Sequence, residues 1–327
     1  MISKLKFLIF FLIGVFIFKW VYDFFAGPDS FKLILENKER LFFIILAHLP
    51  TLYFDSIAWY VLMTRNKIPM VWTFIITWIS QASGKFFPTG NITGEFVRIF
   101  LATKRGQATS EASSTVLADL IVATFSLFLM AIFSFLYILS LDLKFIFEKD
   151  SFYLFSSLLL IMSACFFFFW CVRRRVLRSL FRNILKKFKV SLKRETTLSL
   201  VRLDYLLYRL SFKKKKLVLA IFYRLLGWIA GALEIFIFLW IIGIEASILD
   251  VILIESFTGI IRSIAFFIPA GLGVQELAFV MIGEFVGLSG TVSFSVAVGR
   301  RFRELIVGIP AIIAWLYLFR NKGRTPN

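Results

Sequence analysis

The sequence contains very little histidine or cysteine. His48 is the only histidine, and Cys165 and Cys171 are the only cysteines. One imidazole and two thiols in an apolar stretch are too few for a histidine-rich or cysteine metal site, or for a disulfide framework. The P-loop, the GxSxG elbow, the HExxH zinc motif and the dinucleotide fingerprint are also absent from the sequence. We therefore expect no metal, no other cofactor and no enzymatic activity.

Charged residues are scarce as well. They make up 18% of the chain, whereas soluble domains carry about 25%. Hydrophobic residues reach 59%, and 42 of the 327 residues are Phe. A soluble fold of this size cannot bury that much apolar surface, which excludes a soluble enzyme, a disordered chain and a secreted scaffold. The composition predicts a polytopic membrane protein with a single membrane domain, residues 1–327.

Acidic residues are about half as frequent as basic ones, 20 against 38, so that the net charge is +18. The positive-inside rule explains this excess better than nucleic-acid binding does, because the basic residues cluster at the ends of apolar runs. The largest cluster, Arg173–Lys216, is expected to be a cytoplasmic loop. Within it, Val176–Leu210 also fits an amphipathic basic helix that lies on anionic headgroups.

Six apolar runs are long enough to cross a bilayer, which takes about 20 residues. They are Leu5–Phe25, Leu41–Met63, Ser113–Leu141, Phe152–Val172, Leu217–Gly243 and Phe294–Phe319. Two further runs, Met70–Phe87 and Ile248–Ile268, each lead into a Phe-Phe pair and a proline. The basic loops fall on one side only if each of these runs belongs to a hairpin that leaves by the face it entered. The sequence thus predicts an all-α integral membrane protein with six transmembrane helices plus two re-entrant helical hairpins, and both termini in the cytoplasm.

The two proline segments share a pattern. Pro88–Glu95 and Pro269–Glu276 both read P-x-G-x4-E, and 24 residues after each glutamate comes an ionisable residue, Asp119 or Arg300. A chance match is the alternative to a true repeat, because only three positions of the pattern are identical. Three full spans separate the two segments, which would make the repeats inverted, and inverted repeats with broken helices recur in transporters.

Each repeat supplies the elements of an anion site. Proline breaks the helix, glycine lets the chain turn, and the half-helix that follows offers free N–H groups and a positive dipole end. The repeat cores are predicted at residues 78–141 and 248–319. We expect them to meet near the midplane around an amphipathic cavity.

A dozen ionisable residues lie in or beside these apolar runs: Lys85, Glu95, Arg98, Asp119, Glu234, Glu255, Arg262, Glu276, Arg300, Arg301, Arg303 and Glu304. Each costs about 2.5–3.5 kcal/mol at the bilayer centre, so that together they indicate a polar interior. Arg300 and Glu304, four residues apart, are expected to pair on one helix face. Glu276 is expected to pair with Arg262 or Arg300. Purely structural ion pairs are the alternative.

The second half contains Ile254-Glu255-Ser256, Arg262-Ser263, Phe266–Glu276, Gly299–Leu305 and Gly308-Ile309-Pro310. These segments resemble the flippase-like superfamily named for the transmembrane region of lysylphosphatidylglycerol synthase. In the first half, Gly94-Glu95, Arg98 and Val116–Asp119 resemble the hopanoid-biosynthesis-associated branch. The resemblance covers about Trp78 to Tyr317.

The resemblance implies a bacterial inner-membrane protein that moves lipids or lipid-linked molecules between leaflets, or supports the enzymes that build them. Its core site would contain Arg262, Pro269, Gly271, Gly273, Gln275, Glu276, Arg300, Arg303 and Glu304. The synthases carry a soluble aminoacyl-transferase domain after the membrane part. Here the sequence stops at Asn327, so lysyl transfer is not expected.

The function expected from the sequence is a flippase-like lipid transporter. Its substrate-binding residues are predicted to be Lys85, Glu95, Arg98, Asp119, Arg262, Gly271, Gly273, Gln275, Glu276, Arg300, Arg303 and Glu304. Proton-coupling candidates are Asp119, Glu234 and Glu276. The expected partners are membrane lipids with an anionic headgroup, and no nucleic acid. Two alternatives are a scaffold that docks a lipid-modifying enzyme through Arg173–Lys216, and an intramembrane lipid transferase.

Overall fold

The computed structural model describes residues 2–64, 67–87, 91–141, 163, 166–167, 170–174, 194–265 and 268–320. Every regular element in these residues is a helix, which confirms the all-α prediction. The chain begins with α1 (Ile2–Val21), a π-helical turn (Tyr22–Ala26), α2 (Asp29–Glu36) and a 3₁₀ turn (Lys38–Leu41), and continues with α3 (Phe42–Leu62), α4 (Met70–Phe86), α5 (Asn91–Lys104) and α6 (Thr109–Leu141). The second half contains α7 (Arg194–Ser211), α8 (Lys214–Ile241), α9 (Ile248–Ile264), a 3₁₀ turn (Pro269–Gly271), α10 (Val274–Phe285) and α11 (Gly290–Arg320).

Five helical segments of the described chain are long and apolar enough to cross a membrane. They are Leu8–Ala26, Lys38–Leu62, Thr109–Ser140, Lys214–Ile241 and Gly290–Phe319. Each coincides with one of the six predicted spans. The remaining predicted span, Phe152–Val172, lies mostly outside the described residues. The described chain therefore forms an integral membrane protein, and the count of six spans stays a prediction.

The two predicted repeat cores have the same order of helices. In each, a helix of 17 residues, α4 or α9, is followed by a break and by a shorter helix of 14 or 12 residues, α5 or α10. A long helix of 33 or 31 residues, α6 or α11, completes the series. Helix α4 packs against α5, and α9 packs against α10. The order and the packing are those of two helical hairpins; their re-entry through one membrane face stays a prediction.

The break in the second hairpin depends on backbone that leaves the helical region. Ala270, Gly271 and Gly273 have φ values of 54°, 60° and 76°. Gly273 also lies directly against α1, because a Cβ atom at this position would meet the carbonyl oxygen of Gly14 and come within 2.8 Å of the backbone nitrogen of Phe18. The absence of a side chain thus lets α1 close over the break. The matching segment of the first repeat, residues 88–90, lies outside the described residues.

The described part of the basic segment forms a helix that packs on the protein. Leu207 and Leu210 of α7 are buried in one cluster with Val122 of α6 and Ala220 of α8. One of the two interpretations of this segment from the sequence placed its apolar face on lipid headgroups. That interpretation is wrong for the end of α7, where tertiary packing buries the leucines. Val176–Lys193 lies outside the described residues.

Candidate functional site

A polar cavity of about 210 Å³ lies between α3, α4, α8, α9 and α11. Its lining consists of His48, Thr51, Asp55, Gln81, Lys85, Arg224, Gly227, Trp228, Gly231, Glu234, Glu255, Arg262, Arg300, Arg303 and Glu304. A smaller space of about 40 Å³ adjoins it and shares His48, Gln81, Lys85, Arg303 and Glu304. One water molecule requires about 10–15 Å³ of cavity volume, so the larger space admits several waters or a small polar group. We call it the central cavity.

Five of the lining residues are basic and four are acidic, so the central cavity carries about one excess positive charge when His48 is neutral. Almost all of this charge is paired. An unpaired charge in a dry interior is strongly unfavourable, and a pair is tolerated only when its hydrogen bonds are satisfied. Two ion-pair clusters and the Lys85–Glu304 pair achieve this in the cavity, and a third cluster lies at the break of the second hairpin.

The first cluster is centred on Glu234 of α8. Its Oε1 accepts from Nε of Arg303 at 3.0 Å and lies 3.3 Å from Nε of Arg300, while Nδ1 of His48 is 3.1 Å from Oε2. Arg300 also contacts Glu255, with 2.7 Å between Nη1 and Oε2. The expected Arg300–Glu304 pair is therefore wrong. The guanidinium of Arg300 reaches across to α8 and α9 rather than along its own helix.

The second cluster connects the first repeat to α3 and α8. Arg98 of α5 donates to Asp119 of α6 at 2.6 Å and lies 3.4 Å from Glu95. Arg224 of α8 bonds the same Asp119, and its Nη1 is 2.6 Å from Oδ1 of Asp55. Asp119 is completely buried. Glu95, Arg98 and Asp119 are not among the residues that line the central cavity, although Arg224 and Asp55 are.

The third cluster stabilises the break of the second hairpin. Arg301 pairs with Glu276 at 2.7 Å and donates to the carbonyl oxygens of Ala270 and Gly271 at 2.6 and 3.0 Å. Glu276 accepts from the backbone N–H of Gly273 at 2.7 Å. The predicted Glu276 partners, Arg262 and Arg300, are both wrong. Glu276 lies in the first turn of α10 and caps the N-terminus of that helix. The N-terminus of α10 therefore does not face an anion in the central cavity.

One ion pair joins the two repeats directly. Nζ of Lys85, in α4, lies 2.8 Å from Oε1 of Glu304, in α11. Oε2 of Glu304 lies 3.2 Å from Nη1 of Arg301, which links this pair to the break cluster. The indole of Trp78 adds a hydrogen bond of 2.9 Å to the carbonyl oxygen of Val307. Helices α4 and α11 are thus held together by both charge and hydrogen bonds beside the central cavity.

Arg262 is the exception among the basic residues of the cavity. Its side chain lines the central cavity and passes Gly271, where a Cβ atom would be 3.6 Å from its Cγ. In the described chain, Lys85, Arg224, Arg300 and Arg303 each have a carboxylate within 4.0 Å, and Arg262 has none. It also makes no hydrogen bond with another described residue. Its guanidinium is therefore the one cavity cation with its donors available.

The structure collects only part of the predicted site. Lys85, Arg262, Arg300, Arg303 and Glu304 line the central cavity, and so does the proton-coupling candidate Glu234. Gly273, Gln275 and Glu276 belong to the break and to α10, and Gly271 touches Arg262 from that side. Gln275 is buried, and neither amide atom has a hydrogen-bond partner within the described chain.

Sequence reasoning missed four polar contributors to the cavity, Thr51, Asp55, Gln81 and Arg224. Gln81 donates to Asp55 at 2.8 Å, and Arg224 completes that carboxylate's bonds. The only histidine, His48, is buried against Glu234. The signal was present, since Asp55 and Arg224 are ionisable residues inside predicted spans and such residues are expensive in a membrane.

One protein family matches the chain over residues 6–311, nearly its whole length; it is described as the lysylphosphatidylglycerol synthase TM region. No curated protein and no solved structure matches.

Proposed function

Because the chain belongs to the lysylphosphatidylglycerol synthase TM region family, we propose that it moves a lipid with an anionic headgroup between the leaflets of a membrane. The family name links this membrane region to a phospholipid, which supports a lipid as the substrate. The proposal includes the bacterial inner membrane as its location, both termini in the cytoplasm, and a position near the hopanoid-biosynthesis-associated branch.

The observation that carries the proposal is the free guanidinium of Arg262 in the central cavity. Each of the other cavity cations has a carboxylate within 4.0 Å, whereas the donors of Arg262 remain available to a ligand. A guanidinium presents a planar set of donors that suits phosphate or carboxylate, and charge-assisted bonds of this kind are strong in a dry site.

Transport then requires that the cavity open to each leaflet in turn. In transporters with inverted repeats, one repeat rocks against the other around a midplane site while the hydrophobic parts of the substrate stay in the lipid. Here the Lys85–Glu304 pair at the α4–α11 contact is the connection that such rocking would change. Asp119, Glu234 and Glu276 are each held by at least one arginine, which favours a structural role for them over proton transfer.

Reconstituted protein tests the proposal. Proteoliposomes would be supplied with fluorescent phosphatidylglycerol or phosphatidylcholine, and translocation followed by quenching of the outer leaflet. We expect wild type to translocate the anionic lipid, Arg262→Ala to abolish that movement, and Arg262→Lys to retain part of it because the charge is kept. Arg40→Ala removes an exposed cation that does not line the cavity and is the matched control. Thermal unfolding of each variant would verify that it is folded.

The alternatives give different results in the same experiment. A scaffold would move no lipid, and would lose its partner enzyme when basic residues of Arg173–Lys216 are replaced. An intramembrane transferase would release a modified lipid from purified protein and a lipid donor. Translocation that Arg262→Ala leaves unchanged in folded protein would contradict the proposed site.

A further inference from the structure

A second cavity, which shares no lining residue with the charged clusters, is almost entirely apolar. It has a volume of about 180 Å³ and lies between α6, α7 and α8. Val122, Phe125 and Leu207 are among its lining residues, and Ser211 contributes the only polar side chain of the described lining. Phe166, at its edge, is 56% exposed, so the cavity reaches the outer surface of the protein. Its chemistry suits a hydrocarbon chain that enters from the bilayer.

A basic pocket adjoins this apolar cavity. It has a volume of about 170 Å³, and Arg209, Lys213 and Lys216 line it together with Thr64, Leu206 and Leu210. Leu210 lines both spaces, so the two are separated by little more than one side chain. No carboxylate is part of the described lining. The pocket lies where α7 ends and α8 begins, and no side chain caps the first turn of α8.

The cations of this pocket are available to a ligand. Arg209 and Lys213 are exposed, and neither has a carboxylate within 4.0 Å in the described chain. Lys216 donates to the backbone carbonyl oxygen of Met63 at 2.7 Å, which positions its ammonium group at the pocket without neutralising it. Lys216 is partly buried, and the ammonium groups of Lys67 and Lys213 lie near its own. This crowding of like charge is unfavourable until an anion is bound.

We propose that the apolar cavity and the basic pocket form a second lipid site, which binds an acyl chain and the phosphate of an anionic glycerophospholipid. Basic pockets between helices at the cytoplasmic membrane surface bind such headgroups. An apolar cavity beside the pocket accounts for the acyl chain, which a free phosphate ion does not have. None of the residues that line this site lines the central cavity. The site is therefore separate from the central cavity, and its occupancy would connect α7 to α6 and α8.

Photo-crosslinking in nanodiscs tests this site. The discs would contain phosphatidylcholine with a small fraction of phosphatidylglycerol that carries a diazirine in one acyl chain. We expect the label on peptides of α6 and α7 that line the apolar cavity. The variants Arg209→Gln and Lys213→Gln should each lower the labelling about fivefold, because a basic residue near the surface contributes about that factor to the binding of anionic lipid.

Matched variants distinguish this site from a general attraction of anionic lipid to the basic protein surface. Lys38→Gln with Arg40→Gln removes two exposed cations elsewhere and should leave the labelling unchanged. Arg262→Ala should also leave it unchanged while it abolishes translocation, so the second site can fail or succeed independently of the transport proposal. Equal labelling by diazirine phosphatidylcholine, or labelling that the Arg209 and Lys213 variants do not reduce, would overturn the site. Protection of the pocket by inorganic phosphate without any lipid label would overturn it as well.

Discussion

Replacement of Arg224 tests whether the buried clusters hold the helices together. Arg224 bridges Asp55 of α3 and Asp119 of α6, and it is the only described contact through which α8 neutralises either carboxylate. In the Arg224→Met variant, Asp119 keeps Arg98 at 2.6 Å and Asp55 keeps the amide of Gln81 at 2.8 Å. The cluster of Asp55, Glu95, Asp119, Arg98 and Arg224 changes from one excess negative charge to two.

Loss of one partner from a buried ion pair typically costs about 3–5 kcal/mol, because the remaining charge has no compensation. We expect a loss in that range for Arg224→Met, measured as the free energy of unfolding in a denaturing-detergent titration. Adding Asp55→Asn restores the cluster to one excess negative charge and should recover more than half of the loss. The two substitutions should thus be strongly non-additive in a double-mutant cycle. A loss under about 1 kcal/mol with additive effects would refute the bridging role.

Two further predictions concern the break of the second hairpin. Gly273→Ala requires a left-handed alanine and places a Cβ atom against the backbone of α1, whereas Gly287→Ala has the same backbone requirement but open space around it. The free energy of unfolding should therefore fall by about 1–3 kcal/mol more for Gly273→Ala than for Gly287→Ala. Equal losses would contradict the close packing of α1. Arg301→Leu leaves Glu276 buried with one backbone donor and frees the carbonyl oxygens of Ala270 and Gly271. Hydrogen exchange of residues 270–276 should therefore accelerate more than exchange in α3, and equal acceleration would contradict a local brace.

Periodicity and charge were enough to predict much of the architecture. Long apolar runs with basic ends indicated five of the helices that can cross a membrane, because length and hydropathy are local properties. The P-x-G-x4-E pattern located the break at Pro269–Gly271, where proline and glycine prevent a regular helix. The same pattern also predicted the matching order of α4–α6 and α9–α11.

The pairing of the charges could not be predicted in the same way. Glu276 bonds Arg301 rather than Arg262 or Arg300, and Arg300 bonds Glu234 and Glu255 rather than Glu304. Each choice depends on how far α11 rotates and slides against α8, α9 and α10, which a one-dimensional pattern does not contain. Helix packing also buried the leucines of α7, for which amphipathicity alone suggested a membrane surface.

A thiol placed in the central cavity tests most directly whether an anionic headgroup enters it and meets Arg262. Thr51 lines the central cavity, and its hydroxyl has no hydrogen-bond partner in the described chain. The variant Thr51→Cys, made in a background without Cys165 and Cys171, therefore places a single small thiol in the cavity. Ser126→Cys is a control, because Ser126 is fully buried away from the cavity and bonded within its own helix. We predict that a small water-soluble thiol reagent modifies residue 51 but not residue 126. Phosphatidylglycerol should slow the reaction at residue 51 when Arg262 is present and have no effect when Arg262 is replaced by Ala. An unreactive thiol at residue 51, or protection that persists without Arg262, would contradict binding of the headgroup in the central cavity.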